Sequence, residues 1–267
     1  MIRNLIKKNI FIRKVYFGFF NVFFRIKNFI QKKIMRSSVI LLYHRVDNPS
    51  NDPLLLSVSP DVFEQQLKYL KDNFIVVKLS ELVEDIKNKK IDKNKVSITF
   101  DDGYEDNLIK ALPILEKLNI PATIFVTTKY MGEDGSFYWE KDVIPQDKGV
   151  PLSKESLIKL AKSDLIEIGS HTINHPNLKS LEVSEQKKEI LDSKVQLETI
   201  LNKKIKSFSY PFGTNNYFSK TTEKLVVESG YESACANNQG RVTMFSDIFA
   251  LPRILVRNNF KDFKNKL

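Results

Sequence analysis

Cysteine is nearly absent from this 267-residue sequence, where Cys235 stands alone. A single thiol excludes an internal disulfide framework and any thiolate-rich zinc site. Histidine is almost as scarce: His44, His171 and His175 are the whole supply, so imidazole chemistry has to use those three. Long apolar runs are missing as well. The longest uncharged stretch near the start, Val15 to Phe24, has ten residues, about half of what a membrane-spanning helix needs. No internal repeat or low-complexity linker is present. Charged residues at 28% beside hydrophobic ones at 42% exclude a broadly disordered chain. The length suits one α/β domain with a short appendage.

Acidic residues are missing from residues 1–36, which carry ten basic ones (Arg3, Lys7, Lys8, Arg13, Lys14, Arg25, Lys27, Lys32, Lys33, Arg36). The net charge of +10 is therefore local, because the rest of the chain balances 32 basic against 32 acidic side chains. That distribution argues against a nucleic-acid partner for the body. The same segment is rich in phenylalanine. Lys7, Lys14, Gly18, Asn21, Arg25, Asn28 and Lys32 recur at helical spacing, opposite an apolar surface that includes Phe19, Phe20, Phe23 and Ile26. A cationic stripe with an aromatic face suits an anionic membrane surface. Packing on the body or on a second subunit is the alternative, and an uncleaved export signal is a third, since Arg25 and Lys27 follow in place of a small-residue cleavage site. The positive charge favours the cytoplasmic face. Two regions follow: the segment 1–36 and a domain over 37–267.

From Ser38 onward β-rich runs alternate with helical patterns. Strands are expected at Val39–His44, Phe74–Leu79, Val96–Phe100, Ala122–Thr127, Ile166–Ser170, Lys206–Tyr210 and Leu251–Val256. Helices are expected at Pro60–Lys71, Ser80–Lys89, Asp106–Leu118, Lys154–Ala161, Val183–Leu201 and Ser219–Ser229. Ser59-Pro60 pairs a cap residue with proline at the first helical position, and Ser184 is the expected cap of the long helix. This alternation predicts a parallel sheet with crossover helices, and seven or eight units favour a closed barrel. In such folds chemistry collects where strands run into loops.

Two elements at strand ends carry it. Ser-Ile-Thr-Phe-Asp101-Asp102-Gly103 runs an apolar strand into adjacent carboxylates, either a functional pair or an Asp-Gly turn with a solvated acid. Ile168-Gly169-Ser170-His171-Thr172-Ile173-Asn174-His175-Pro176 sets two histidines four apart just beyond another strand. On a helical turn both imidazoles share a face. With Asp102 they would complete a two-histidine, one-carboxylate set with open positions, which suits a catalytic divalent metal.

Thr-Phe-Asp-Asp-Gly, followed 69 residues after Asp102 by Ser-His-Thr-x-x-His-Pro, resembles the polysaccharide deacetylase (NodB-homology) family, carbohydrate esterase family 4, over roughly 38–257. The resemblance implies an irregular (β/α)7 barrel and a metal-dependent hydrolase. It implies Asp101 as catalytic base and Asp102, His171 and His175 as metal ligands, with Zn²⁺ first and Co²⁺ or Ni²⁺ compatible. The family's Arg-x-Pro-Tyr/Phe-Gly motif reads Ser209-Tyr210-Pro211-Phe212-Gly213 here. The Phe212 N–H is thus kept as an oxyanion donor and Tyr210 and Pro211 as substrate-binding positions, but the arginine is gone. The family's Asp-x-x-Asp-Trp and Leu-x-His elements have no match. Leu41-Leu42-Tyr43-His44-Arg45-Val46 is similar to the exopolysaccharide-deacetylase branch, which implies His44 as general acid; a structural histidine at the barrel top is the alternative. Arg253 is a candidate replacement partner for Asp101, or an ordinary ion pair. Tyr138 and Trp139 would either stack on a sugar ring or anchor their loop.

The expected activity is removal of acetyl groups, N-acetyl first, from an amino-sugar glycan of the cell envelope or a lipid-linked saccharide. The alternatives are an O-acetyl esterase and a non-catalytic glycan-binding protein on a decayed barrel.

Overall fold

This computed structural model describes residues 37–91, 94–132 and 137–267. The amphipathic segment 1–36 lies outside the described residues.

Seven parallel strands close into a barrel: β1 (Val39–Tyr43), β2 (Lys95–Phe100), β3 (Ala122–Val126), β4 (Ile166–Ser170), β5 (Ser207–Ser209), β6 (Ser233–Gln239) and β7 (Leu251–Leu255). β1 closes the ring by pairing β2 from Val39↔Val96 to Tyr43↔Phe100 and β7 at Leu41↔Ile254. The ring is irregular. β4 and β5 share one register pair, Ser170↔Phe208, and the β6–β7 register shifts between Leu251 and Arg253. This is the closed barrel expected from the alternation of elements, in the irregular (β/α)7 form that the resemblance implied; Ser233–Gln239 is a strand that the sequence pattern did not announce.

The period of two along each strand divides the side chains. Val39, Leu41 and Tyr43 of β1, and Val96, Ile98 and Phe100 of β2, join the outer core beneath the helices. Ile40, Phe125, Cys235 and Leu251 belong to a separate inner cluster. The helices are α1 (Pro60–Asn73), α2 (Leu79–Lys87), α3 (Leu112–Leu118), α4 (Lys154–Leu160), α5 (Val183–Leu201), α6 (Lys220–Glu228) and α7 (Phe260–Lys266). α2 departs from the outer ring: its Leu79, Leu82, Val83 and Ile86 join the inner cluster and plug the strand-start end of the barrel. Gly169 on β4 permits the inner filling, because a Cβ there would meet the Phe125 ring at 2.4 Å.

Local departures from the sequence reading have local causes. Of the strand expected over Phe74–Leu79, only Ile75–Val76 pairs, against Lys95 and Val96; the chain then turns into α2 to deliver its plug. The helix expected from Asp106 opens as a π-helical turn, Asn107–Ala111, because Pro113 has no N–H for regular pairing. The cap of α5 is Glu182, in a capping box with Glu185, rather than Ser184.

Candidate active site

Every polar residue singled out at a strand end lies at one end of the barrel. Asp101 and Asp102 follow β2, His171 follows β4, Ser209 ends β5, and Arg253 sits within β7. Alternation continues past the strands. Thr99 and Asp101 point inward as Ile98 and Phe100 point outward, and Leu251 and Arg253 point inward likewise. A cavity of about 370 Å³ opens there, lined by His44, Asp101, Asp102, His171, His175 and Trp139 among others.

Arg253 is 0% exposed and grips Asp101 with both arms of its guanidinium: Nη1 donates to Oδ1 at 2.8 Å and Nη2 to Oδ2 at 2.7 Å. Nη2 also donates to Ser209 Oγ at 2.9 Å, and Nε to the Ala236 carbonyl at 2.9 Å. Ser209 Oγ donates to Asp101 Oδ2 at 3.2 Å. The small serine at this position leaves room for a guanidinium reaching in from β7. Burial alone would raise the Asp101 pKa, but Arg253, helped by His171, outweighs it and holds the carboxyl well below the ordinary range. Asp101 is therefore an ionised, rigidly oriented carboxylate.

Asp102, His171 and His175 form a second group whose candidate ligand atoms all lie within 4.8 Å of one another. His171 Nε2 is 3.5 Å and His175 Nε2 3.7 Å from Asp102 Oδ1. His171 Nδ1 contacts the Ser209 carbonyl at 2.7 Å, so that nitrogen carries the proton and Nε2 presents its lone pair to the cluster. Burial pushes Asp102 up, with Asp101 and Glu140 adding to it, and pushes both histidines down. Without an ion the group thus resists charge, and buried His175 Nδ1 has no hydrogen-bond partner among the described residues. Two neutral imidazoles and one carboxylate at this spacing fit a divalent metal with positions left open. Backbone strain concentrates in the same place: Asp102 (φ 76°), Thr172 (φ 69°), His175 (φ 56°) and Phe212 (φ 59°) are all left-handed without being glycine.

His44 follows β1 on its inward side and lines the cavity. Burial pulls its pKa down to about 4; Asp101 opposes this, while Arg253, His171 and Arg257 reinforce it. The free protein therefore holds His44 neutral at pH 7, which differs from the standing imidazolium a resting general acid would show. Phe212 places its ring 4.7 Å from that of His175.

Two expected substrate positions need correction. Tyr210 follows inward-pointing Ser209 and so points outward; it stacks on Phe218 at 4.0 Å and donates to the Phe249 carbonyl. Pro211 is buried and does not line the cavity either. The aromatic pair divides. Tyr138 is 47% exposed, and its hydroxyl donates to the His175 carbonyl at 3.1 Å. Trp139 lines the cavity, but its ring stacks on Phe137 at 4.6 Å and lies 4.5 Å from that of His175. Its Nε1 donates to the Tyr104 hydroxyl, which donates in turn to Glu140. Both residues thus brace His175 from its loop.

Sequence reasoning missed the support around this centre. Arg45 is buried against Asp106 at 3.0 Å and Asp47 at 2.7 Å, and Tyr104 and Glu140 join the same network. Tyr217, Asn237 and Arg257 also line the cavity. The one available signal was Arg45 directly after His44.

Comparison with known proteins places the fold and the family. The polysaccharide deacetylase family profile matches residues 88–234. A poly-β-1,6-N-acetyl-D-glucosamine N-deacetylase of Staphylococcus aureus is 31% identical over 248 residues, covering 84% of this chain and 80% of that one. Among solved structures, the Streptococcus pyogenes deacetylase PplD in complex with acetate aligns at 26% identity with a TM-score of 0.69, over 84% of this chain and 94% of that one. IcaB of Ammonifex degensii shares the fold at 23% identity and a TM-score of 0.72, over 86% and 94%. The chain belongs to the polysaccharide deacetylase family, whose members are hydrolases.

Proposed function

We propose that the protein is a metal-dependent N-deacetylase of a β-linked N-acetylglucosamine polymer of the cell envelope. One observation carries the reading: the ionised Asp101 stands 3.9 Å (Oδ2 to His171 Nε2) from a cluster of Asp102, His171 and His175 that fits one divalent ion. The named substrate of the staphylococcal relative supports the choice of polymer.

Zn²⁺ held by Asp102, His171 and His175 would supply Lewis acidity, lowering the pKa of water and polarising the acetyl carbonyl. Asp101 takes the proton of the attacking water, held on axis by both arms of Arg253. The Phe212 N–H, turned by its left-handed backbone, donates to the oxyanion. His44 delivers a proton to the departing amine. Since it rests neutral, it has to be charged by the proton released from water, so base and acid act in sequence. Residues 1–36 seat the enzyme on an anionic membrane surface, on the cytoplasmic face.

Metal analysis of purified wild type beside His171→Ala tests the reading without knowledge of the substrate. Near-stoichiometric divalent metal, lost in the variant, supports it. A wild type that takes up no metal after reconstitution with Zn²⁺ overturns it and favours a glycan-binding role. Free amine rather than free hydroxyl in the product separates N- from O-deacetylation.

A further inference from the structure

We propose that the strand-start end of the barrel is the face that lies against the membrane, so that the catalytic cavity opens away from the bilayer. The proposal rests on the reading of residues 1–36 as a membrane-surface segment and goes beyond it by fixing orientation and with it the substrate class.

The chain enters the described body at Ser37 and Ser38. Ser38 is clamped there, exchanging both backbone hydrogen bonds with Val242 (2.8 and 2.9 Å) just before β1 begins. Asp101, Asp102, His171 and His44 all follow strand ends. The basic, phenylalanine-rich segment and the cavity are therefore attached at opposite ends of the barrel, separated by strands such as the five-residue β1, which spans roughly 17 Å.

The base carries matching charge. The loops entering β2, β4 and β5 expose Lys89, Lys90, Lys162, Lys203, Lys204 and Lys206, against Asp164, Glu232 and Asp247 in the loops entering β4, β6 and β7, the last paired with Lys220. Lys206 is paired with Glu232. On α2, which plugs this end, Glu84 and Asp85 are paired with Lys87 and Lys95, leaving Glu81. Loop lysines beside the exit of a basic segment suit anionic headgroups. A saccharide linked directly to a lipid headgroup would sit at the wrong end of the molecule. A polymer long enough to reach past the barrel would not.

The test uses the full chain with an environment-sensitive dye on Asn88→Cys at the base or on Asn216→Cys at the mouth; native Cys235 is buried and stays unlabelled. Vesicles of phosphatidylcholine and phosphatidylglycerol carry a headgroup quencher. Quenching several-fold stronger at position 88 than at 216 supports the orientation. Equal quenching, or stronger quenching at 216, on vesicles that bind the protein overturns the orientation alone. No binding to vesicles overturns the membrane reading and this proposal with it.

Discussion

Replacing Arg253 by methionine removes the only side chain, among the described residues, that bonds Asp101 on both oxygens. Both partners are buried, at 0% and 4% exposure, so solvent cannot substitute for the lost guanidinium. Breaking a buried pair from one side costs about 3–5 kcal/mol, a large share of the roughly 5–15 kcal/mol that holds a domain folded. The sign with pH follows from the direction of the shift. In wild type the Asp101 pKa is depressed, so its contribution is present above the unfolded-state value of about 3.9 and is lost as pH falls toward the lower folded value. In Arg253→Met burial wins, the folded pKa rises above the unfolded one, and Asp101 disfavours folding increasingly as pH rises. Urea unfolding followed by circular dichroism between pH 4 and pH 8 is expected to show a deficit near neutrality that shrinks on acidification. Adding Asp101→Asn to Arg253→Met recovers much of the loss while leaving the protein inactive. A variant within about 0.5 kcal/mol of wild type at pH 7, as for an exposed ion pair, would refute the assignment.

Other outcomes follow from the same geometry. Asp101→Asn should abolish turnover while leaving bound metal largely intact by elemental analysis; loss of metal would merge two roles kept apart here. Because burial raises Asp102 and lowers His171 and His175, metal uptake should release about one proton per ion, read by calorimetry in buffers of different ionisation enthalpy. Trp139→Phe should weaken metal binding through the lost Nε1 bond to Tyr104, with unfolding free energy changed by only about 1 kcal/mol; unchanged affinity would leave Trp139 as loop packing only. Gly169→Ala should destabilise by about 1–3 kcal/mol or more through overpacking against Phe125, measured by thermal unfolding.

The alternation of apolar strands and amphipathic helices made the barrel legible, since period two and period 3.6 are local properties of the chain. Asp101, Asp102, His171 and His175 were legible because each pair is close in sequence, adjacent or four apart, and stands where a strand stops. Arg253 could be named only as a candidate, because its meeting with Asp101 joins β7 to β2 across the closed ring, and nothing local encodes that contact. Tyr210 was misplaced although the pattern was available: Phe208 and Tyr210 share parity, so with Ser209 inward the tyrosine had to face the helices. The neutral state of His44 depends on burial and three cationic or imidazole neighbours from other elements, which no local pattern reports. The Arg45–Asp106–Glu140 network is hidden for the same reason, its members being far apart in sequence.

The most direct measurement is acetate and free-amine release from a poly-N-acetylglucosamine substrate by the native enzyme, by chelator-stripped enzyme, and by stripped enzyme restored with Zn²⁺. Equal amounts of acetate and amine, loss on stripping and recovery with metal are the expected results. Activity indifferent to chelation, or acetate released without amine, would contradict metal-dependent N-deacetylation.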